Sequence, residues 1–227
     1  MNKIREMLLL QQQLNDNTNG IGWESGVTKN GKIIDWRRCS YLECAELIES
    51  YPWKHWKNID ASPDYDNIKI EAVDIWHFIM SQALQEYKVN NLGDIDQLSE
   101  MITSLPEYQI FTEGIRADSS DYYEEIKVVE SLMKSLFCDE SIDKLMASFF
   151  RVALQSGLNL DKLYQLYIGK NILNSFRQDH GYKDGTYIKI WSGQEDNQYM
   201  QKILESNSTI KPKELYLELE KRYSEID

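Results

Sequence analysis

The sequence predicts an all-α fold, a helical bundle with at most a short hairpin in its loops. Apolar residues recur at a period near 3.6 through nearly every segment between turn clusters, and no convincing run of alternating apolar and polar residues marks a sheet. The 227 residues, 42% of them hydrophobic, are enough to bury a sizeable core. No repeat, low-complexity tract or long linker divides them, so residues 1–227 read as one domain, with about 92–160 as a helical insertion within it.

Ile4, Met7, Leu8, Leu10 and Leu14 follow helical spacing, and the turn formers of "NDNTNG" predict that this first helix stops near residue 16. The glycine-rich "GIGWESGVTKNGKIIDWRR" reads as a loop, with a short hairpin around Asn30 and Gly31. A second helix is expected from Ser40 to Tyr51, with Ser40 as N-cap, Glu43 as its capping-box partner and Pro52 as its stop. "PWKHWKN" and the turn-rich "DASPDYDN" then lead into a long apolar helix from about Ile68 to Tyr87. Helical periodicity continues through "DIDQLSEMITSL", "SDYYEEIKVVESLMKSLF", "SIDKLMASFFRVALQSG" and "NLDKLYQLYIGKNILNSFRQDHG", with Asp, Ser or Asn at several starts. A two-stranded element fits "GYKDGTYIKIWSG", and "KPKELYLELEKRYSEI" is a final helix with Pro212 near its first turn.

Charge and cysteine usage narrow the function classes. Lys plus Arg total 25 against 37 Asp plus Glu, a formal charge of −12, which argues against a nucleic-acid polymer as partner. A nucleotide remains compatible, because a divalent cation reverses the local sign of an acidic pocket. Cys39, Cys44 and Cys138 form an odd set without metal-ligand spacing, so reduced thiols and no zinc site are expected. The opening "MNKIREMLLLQQQLND" has only a four-residue apolar run, too short for a signal segment or a membrane span. A soluble, cytoplasmic protein with no membrane partner is the expectation.

The acids of the second and third helices carry the chemistry. Residues three apart share a helical face, so Glu43 with Glu46, and Glu71 with Asp74, each point a pair of carboxylates one way. Two carboxylates about 5 Å apart at an effective dielectric of about 20 repel by roughly 3 kcal/mol, so four that converge call for cations between them. An all-oxygen donor set suits magnesium, which shares its shell with waters and phosphates. Such spacings also arise on ordinary solvated helix faces. Here, however, Glu71 and Asp74 sit among Ile68, Ile70, Val73, Ile75, Trp76, Phe78 and Ile79, which leaves them little solvated face.

Glu43-x-x-Glu46, then 24 residues, then Glu71-x-x-Asp74 resembles the metal-binding signature of the all-α nucleoside triphosphate pyrophosphatases, the superfamily of MazG-like proteins and dimeric dUTPases. "QQQLND", "ESYPWKHWKN" and "GKNILNSFRQDHGYKDGTYIKIWSGQEDN" resemble the dimeric dUTPases in particular, and together these stretches span most of the chain. The resemblance implies a helical bundle of that pyrophosphatase type, two or more Mg²⁺ ions on Glu43, Glu46, Glu71 and Asp74, and a homodimer. It implies as activity the hydrolysis of dUTP to dUMP and pyrophosphate, and of dUDP to dUMP and phosphate. Glu46 is the catalytic candidate, to orient or deprotonate the attacking water, with Glu49 supporting it one turn on. A related enzyme with another base preference and a non-catalytic nucleotide-binding helical protein are the alternatives.

The same resemblance implies uracil recognition by Gln12 and Asn15, whose carboxamides offer the donor and acceptor that the uracil edge requires. Trp56 is a candidate to stack on the base, with core packing the equal alternative for Trp53 and Trp56. His77 and Phe78, on the face of Asp74, are candidates to line the base or sugar pocket. Arg177, Tyr182, Lys183 and Lys189 are implied phosphate ligands, and Asn171 and Asn174 would touch phosphate or metal-bound water. Lys170 adds a further cation to this stretch, whose bland alternative is a solvated basic helix end.

Overall fold

Short polar side chains set where most of the helices begin. Asn2 accepts from the Ile4 and Arg5 amides, Asp35 from Arg38, Asp64 from Asn67, and Asp121 from Tyr123. Asp94 and Gln97 close a reciprocal capping box. Each such bond satisfies an amide that the first helical turn leaves without an intrahelical acceptor, worth about 1 kcal/mol. A computed structural model describes residues 2–57, 60–114, 121–138 and 140–226. Among them are ten α-helices and one two-residue hairpin, so the fold is all-α as expected. No helix in it is long and apolar enough to cross a membrane.

Two compact units divide the chain, Met1–Leu163 and Tyr164–Asp227. The first holds α1 (Lys3–Asn19), a 3₁₀ turn (Trp23–Ser25), α2 (Trp36–Glu49), α3 (Tyr65–Val89), α4 (Ile95–Ser104), α5 (Pro106–Glu113), α6 (Tyr122–Phe137) and α7 (Ile142–Gln155). α8 (Leu160–Asp179) begins in this unit, capped by Asn159, and runs on into the second. α3 is the central element: it packs on α1, α2, α4, α7 and the 3₁₀ turn. Trp76 of α3 is fully buried and stacks on Phe149 of α7 with ring centres 4.7 Å apart.

The second unit continues with a 3₁₀ turn (Tyr182–Asp184), strands β1 (Ile190–Trp191) and β2 (Gln194–Glu195), α9 (Asp196–Ser206) and α10 (Pro212–Tyr223). The strands pair antiparallel across Ser192 and Gly193, which both take positive φ, 46° and 82°, as a tight two-residue hairpin turn requires. Phe176 centres an aromatic cluster with Tyr187, Trp191, Tyr216 and Tyr223. Gly169 lets α8 and α9 approach closely, since a β-carbon there would sit 2.7 Å from Leu204.

Several boundaries differ from expectation. α1 runs past residue 16 to Asn19 and ends only at Gly20, whose φ of 95° an L side chain rarely adopts. α2 starts at Trp36 with Asp35 as its cap, so Ser40 lies buried inside the helix and forms no capping box with Glu43. The physical reason is that buried Trp36 anchors an earlier first turn. The expected hairpin near Gly31 reduces to a single bridge between Val27 and Ile33, and the second strand of the later one lies just beyond the expected stretch. α5 and α9 were not expected, because two and four buried residues give too little periodicity to read.

Because Trp76 fills the contact between α3 and α7, Trp76→Ala should cost about 3–5 kcal/mol of unfolding free energy, read from the urea midpoint. A loss below about 1 kcal/mol would show that the neighbouring rings collapse into the space.

Candidate active site

The end of α2 and the start of α3 are joined by hydrogen bonds. The Asp64 amide donates to the Ser50 carbonyl at 2.9 Å, and Asn67 Nδ2 donates to Ser50 Oγ at 2.8 Å. The helices therefore run antiparallel from this junction, and one turn back on α2 comes level with one turn forward on α3. Glu43, Glu46 and Glu71 meet there: one carboxylate oxygen from each lies within 4.8 Å of the others. Glu71 is buried and accepts from Asn67 Nδ2 at 3.1 Å, Glu43 is half-buried, and Glu46 is exposed.

Three carboxylates at this separation repel one another by roughly 3 kcal/mol per pair at an effective dielectric of about 20. All the donors are hard oxygens, the set that fits a divalent cation such as magnesium. Asp74, half-buried three residues after Glu71, stands outside the three-carboxylate cluster. Glu49 is engaged elsewhere, in an ion pair with Lys54 of the connector.

Further along α3 is a buried polar network. Gln11 Nε2 donates to Ser81 Oγ at 2.9 Å and to Asn15 Oδ1 at 3.3 Å, and Asn15 Nδ2 donates to Ser81 Oγ at 3.0 Å. His77 Nδ1 lies 2.7 Å from Gln11 Oε1, and Ser81 Oγ donates to the His77 carbonyl at 2.8 Å. His77 and Ser81 follow Glu71 by six and ten residues, about 9 and 15 Å along a helix that rises about 1.5 Å per residue.

The structure thus groups Asn15 with Gln11 and His77. Gln12 turns instead to Asp16 and Glu24, at 3.1 and 3.0 Å, and lines an open cleft of about 310 Å³ with Leu84, Tyr87 and Lys88. Gln11 and Ser81 escaped the sequence reading. Their signal is two facing polar pairs, Gln11 with Asn15 and His77 with Ser81, each spaced four apart. Half-buried Phe78 stacks on Trp36 at 6.1 Å. Trp56 is 62% exposed and meets the edges of Trp53 and His55 at 5.7 and 4.9 Å.

In the second unit, Arg177 is buried and engaged. Its Nε and Nη2 donate to the two oxygens of Asp196, both at 2.8 Å, while Nη2 also reaches Asn197 Oδ1 at 3.3 Å and Nη1 reaches Asn174 Oδ1 at 3.2 Å. Tyr187 donates to Asp196 at 2.8 Å, and buried Lys170 to Asn197 Oδ1 at 2.9 Å. Burial alone would raise the Asp196 carboxyl, but the hydrogen bonds and charge of Arg177, then Tyr187 and Lys170, outweigh it and hold the group below its ordinary value. Tyr182 is exposed beneath the guanidinium, its ring centre 5.9 Å away. Lys183 is exposed, Lys189 pairs with Glu195 at 3.3 Å, and Asn171 is half-buried with its Nδ2 enclosed. No periodicity in the sequence pointed to Asp196, which lies nineteen residues after Arg177.

A sequence model of the dUTPase family matches residues 3–182. No curated protein matches the chain. The match contains the acid cluster, the buried amide network and Arg177, and stops before Lys183, Lys189 and Asp196.

The depressed Asp196 carboxyl gives a signed prediction. A folded-state value below the unfolded value of about 3.9 stabilises the native state above that pH, and the contribution is lost as pH falls from about 4 through the lower folded value. Asp196→Asn should therefore be less stable than the parent at pH 7, with the difference shrinking in acid below about pH 4. A gap independent of pH would rule out the ionised pair as its source.

Proposed function

The chain belongs to the dUTPase family, and on that premise we propose that it is a magnesium-dependent dUTP diphosphatase, converting dUTP and water to dUMP and pyrophosphate and dUDP to dUMP and phosphate. The observation that carries the reading is the convergence of Glu43, Glu46 and Glu71 within 4.8 Å inside the matched region. Glu43, Glu46 and Glu71, with Asp74 on the next turn, would hold two or more magnesium ions. When bound, magnesium offsets the phosphate charge and lowers the pKa of water.

The chain's own groups then have distinct tasks. Glu46, the exposed member of the cluster, accepts the proton of the attacking water. Asn15 and His77, held in register by Gln11 and Ser81, supply the fixed amide and imidazole that read the uracil edge, and Phe78, Trp56 and Gln12 bound the base and sugar. Arg177, Tyr182, Lys183, Lys189, Asn171 and Asn174 bind phosphate oxygens, a role supported by their chemistry. The active form is a homodimer in the cytoplasm.

The decisive measurement is turnover of dUTP, dUDP, dCTP and dTTP by the purified protein, with and without magnesium. Selective, magnesium-dependent release of dUMP is expected; preference for another base would make it a related pyrophosphatase, and binding without turnover a nucleotide sensor. Glu46→Gln should keep the fold and lower kcat by about 10²–10⁴-fold, as loss of a general base does. Wild-type turnover in that variant would remove Glu46 from the chemistry.

Asn15→Ala should narrow the preference for dUTP over dCTP and dTTP, because it removes a buried amide whose partners are left unpaired. A uniform fall across all the nucleotides would make Asn15 structural.

A further inference from the structure

We propose that Asp196 is a positioning residue, which fixes the guanidinium plane of Arg177 for the phosphates of the nucleotide; the proposal rests on the phosphate role given to Arg177 above. Arginine is a long side chain with many rotamers to lose, so its use as a fork depends on what holds it. Asp196 holds it from one edge only. The two parallel 2.8 Å bonds take Nε and Nη2. The opposite nitrogen, Nη1, turns to Asn174, and the ring of Tyr182 lies against the guanidinium. Asn174 and Tyr182 are both assigned to phosphate, so the edge that Asp196 does not take is the one beside the other proposed ligands.

Asp196 is itself fixed. It is fully buried and accepts from the Tyr187 hydroxyl and the Asn197 amide, each at 2.8 Å. Its own amide donates to the Lys189 carbonyl at 3.0 Å, across the hairpin that ends where α9 begins. As the first residue of α9 it lies where the helix dipole favours a negative charge. Stability alone is a weak reason for such a pair, because an apolar pair of similar volume is often as stable as a buried ion pair. Compensating the Arg177 charge also lowers the raw attraction for an anion, so what the pair supplies is orientation.

The test compares the full-length wild type with Asp196→Asn, Asp196→Glu and Tyr187→Phe, well below the unfolding temperature of each. The readouts are kcat and KM for dUTP, the dUTP to dCTP preference, and calorimetric titration with inorganic pyrophosphate in the presence of magnesium. Asp196→Asn should lower kcat/KM by about 10–100-fold, the scale of a misplaced binding group, with base preference unchanged and pyrophosphate bound more weakly. Asp196→Glu should recover part of the loss. Tyr187→Phe, which removes one hydroxyl and keeps the ion pair, should show a smaller loss in the same direction and guards against misfolding of the first variant.

Unchanged kcat/KM in Asp196→Asn and Tyr187→Phe, with only a lower unfolding temperature, would reduce Asp196 to a structural residue and overturn the proposal. Tighter pyrophosphate binding with full turnover in Asp196→Asn would overturn it too, as mere charge compensation. A wild type that hydrolyses no dUTP refutes the function proposed above. In that case the pyrophosphate titrations still decide whether Asp196 orients an anion site.

Discussion

Mutual repulsion among Glu43, Glu46 and Glu71 is the constraint around which the first unit is organised. Carboxylates within 4.8 Å of one another push their helices apart, and Glu71 adds the cost of burial. The α2–α3 junction resists that push locally: Asn67 bridges Ser50 and Glu71, and the Asp64 amide closes on the Ser50 carbonyl. The apolar flank of α3 resists it globally, with Ile68, Val73, Ile75, Trp76 and Ile79 all buried. A divalent cation among such carboxylates would offset their repulsion.

Two buried polar clusters, one in each unit, are built on the same plan. Gln11, Asn15, His77 and Ser81 are buried, yet they bond to one another, so burial fixes their orientation. Arg177, Lys170, Asn197 and Asp196 do the same with charge. Both groups border residues that the proposed function uses, and both trade some stability for geometry that a solvated side chain lacks. Glu46 and Tyr182, by contrast, stay exposed, as groups that meet solvent or a ligand do.

How much was legible depended on the range of the interaction. The ExxE and ExxD spacings were readable because they are local: residues three apart on a helix share a face. The start of α2 differs from expectation because Ser40 and Asp35 are both competent caps, and the burial of Trp36 chose between them. Gln12 and Gln11 are equally good amides in sequence, and only the position of α3 decides which one reaches Ser81 and His77. Asp196 was invisible for the same reason, since nineteen residues, a 3₁₀ turn and a hairpin separate it from Arg177.

The sequence by itself determined the helical class and the four candidate acids, because periodicity and short spacings are properties of one helix and do not need a partner; the family followed from the resemblance of its motifs. The tertiary structure alone decided which of those acids converge, which glutamine joins the buried network, and that Arg177 is gripped by a carboxylate from the next helix. Each of these turns on the register between two elements, where a shift of one residue rotates a side chain by about 100° and carries it out of hydrogen-bonding reach.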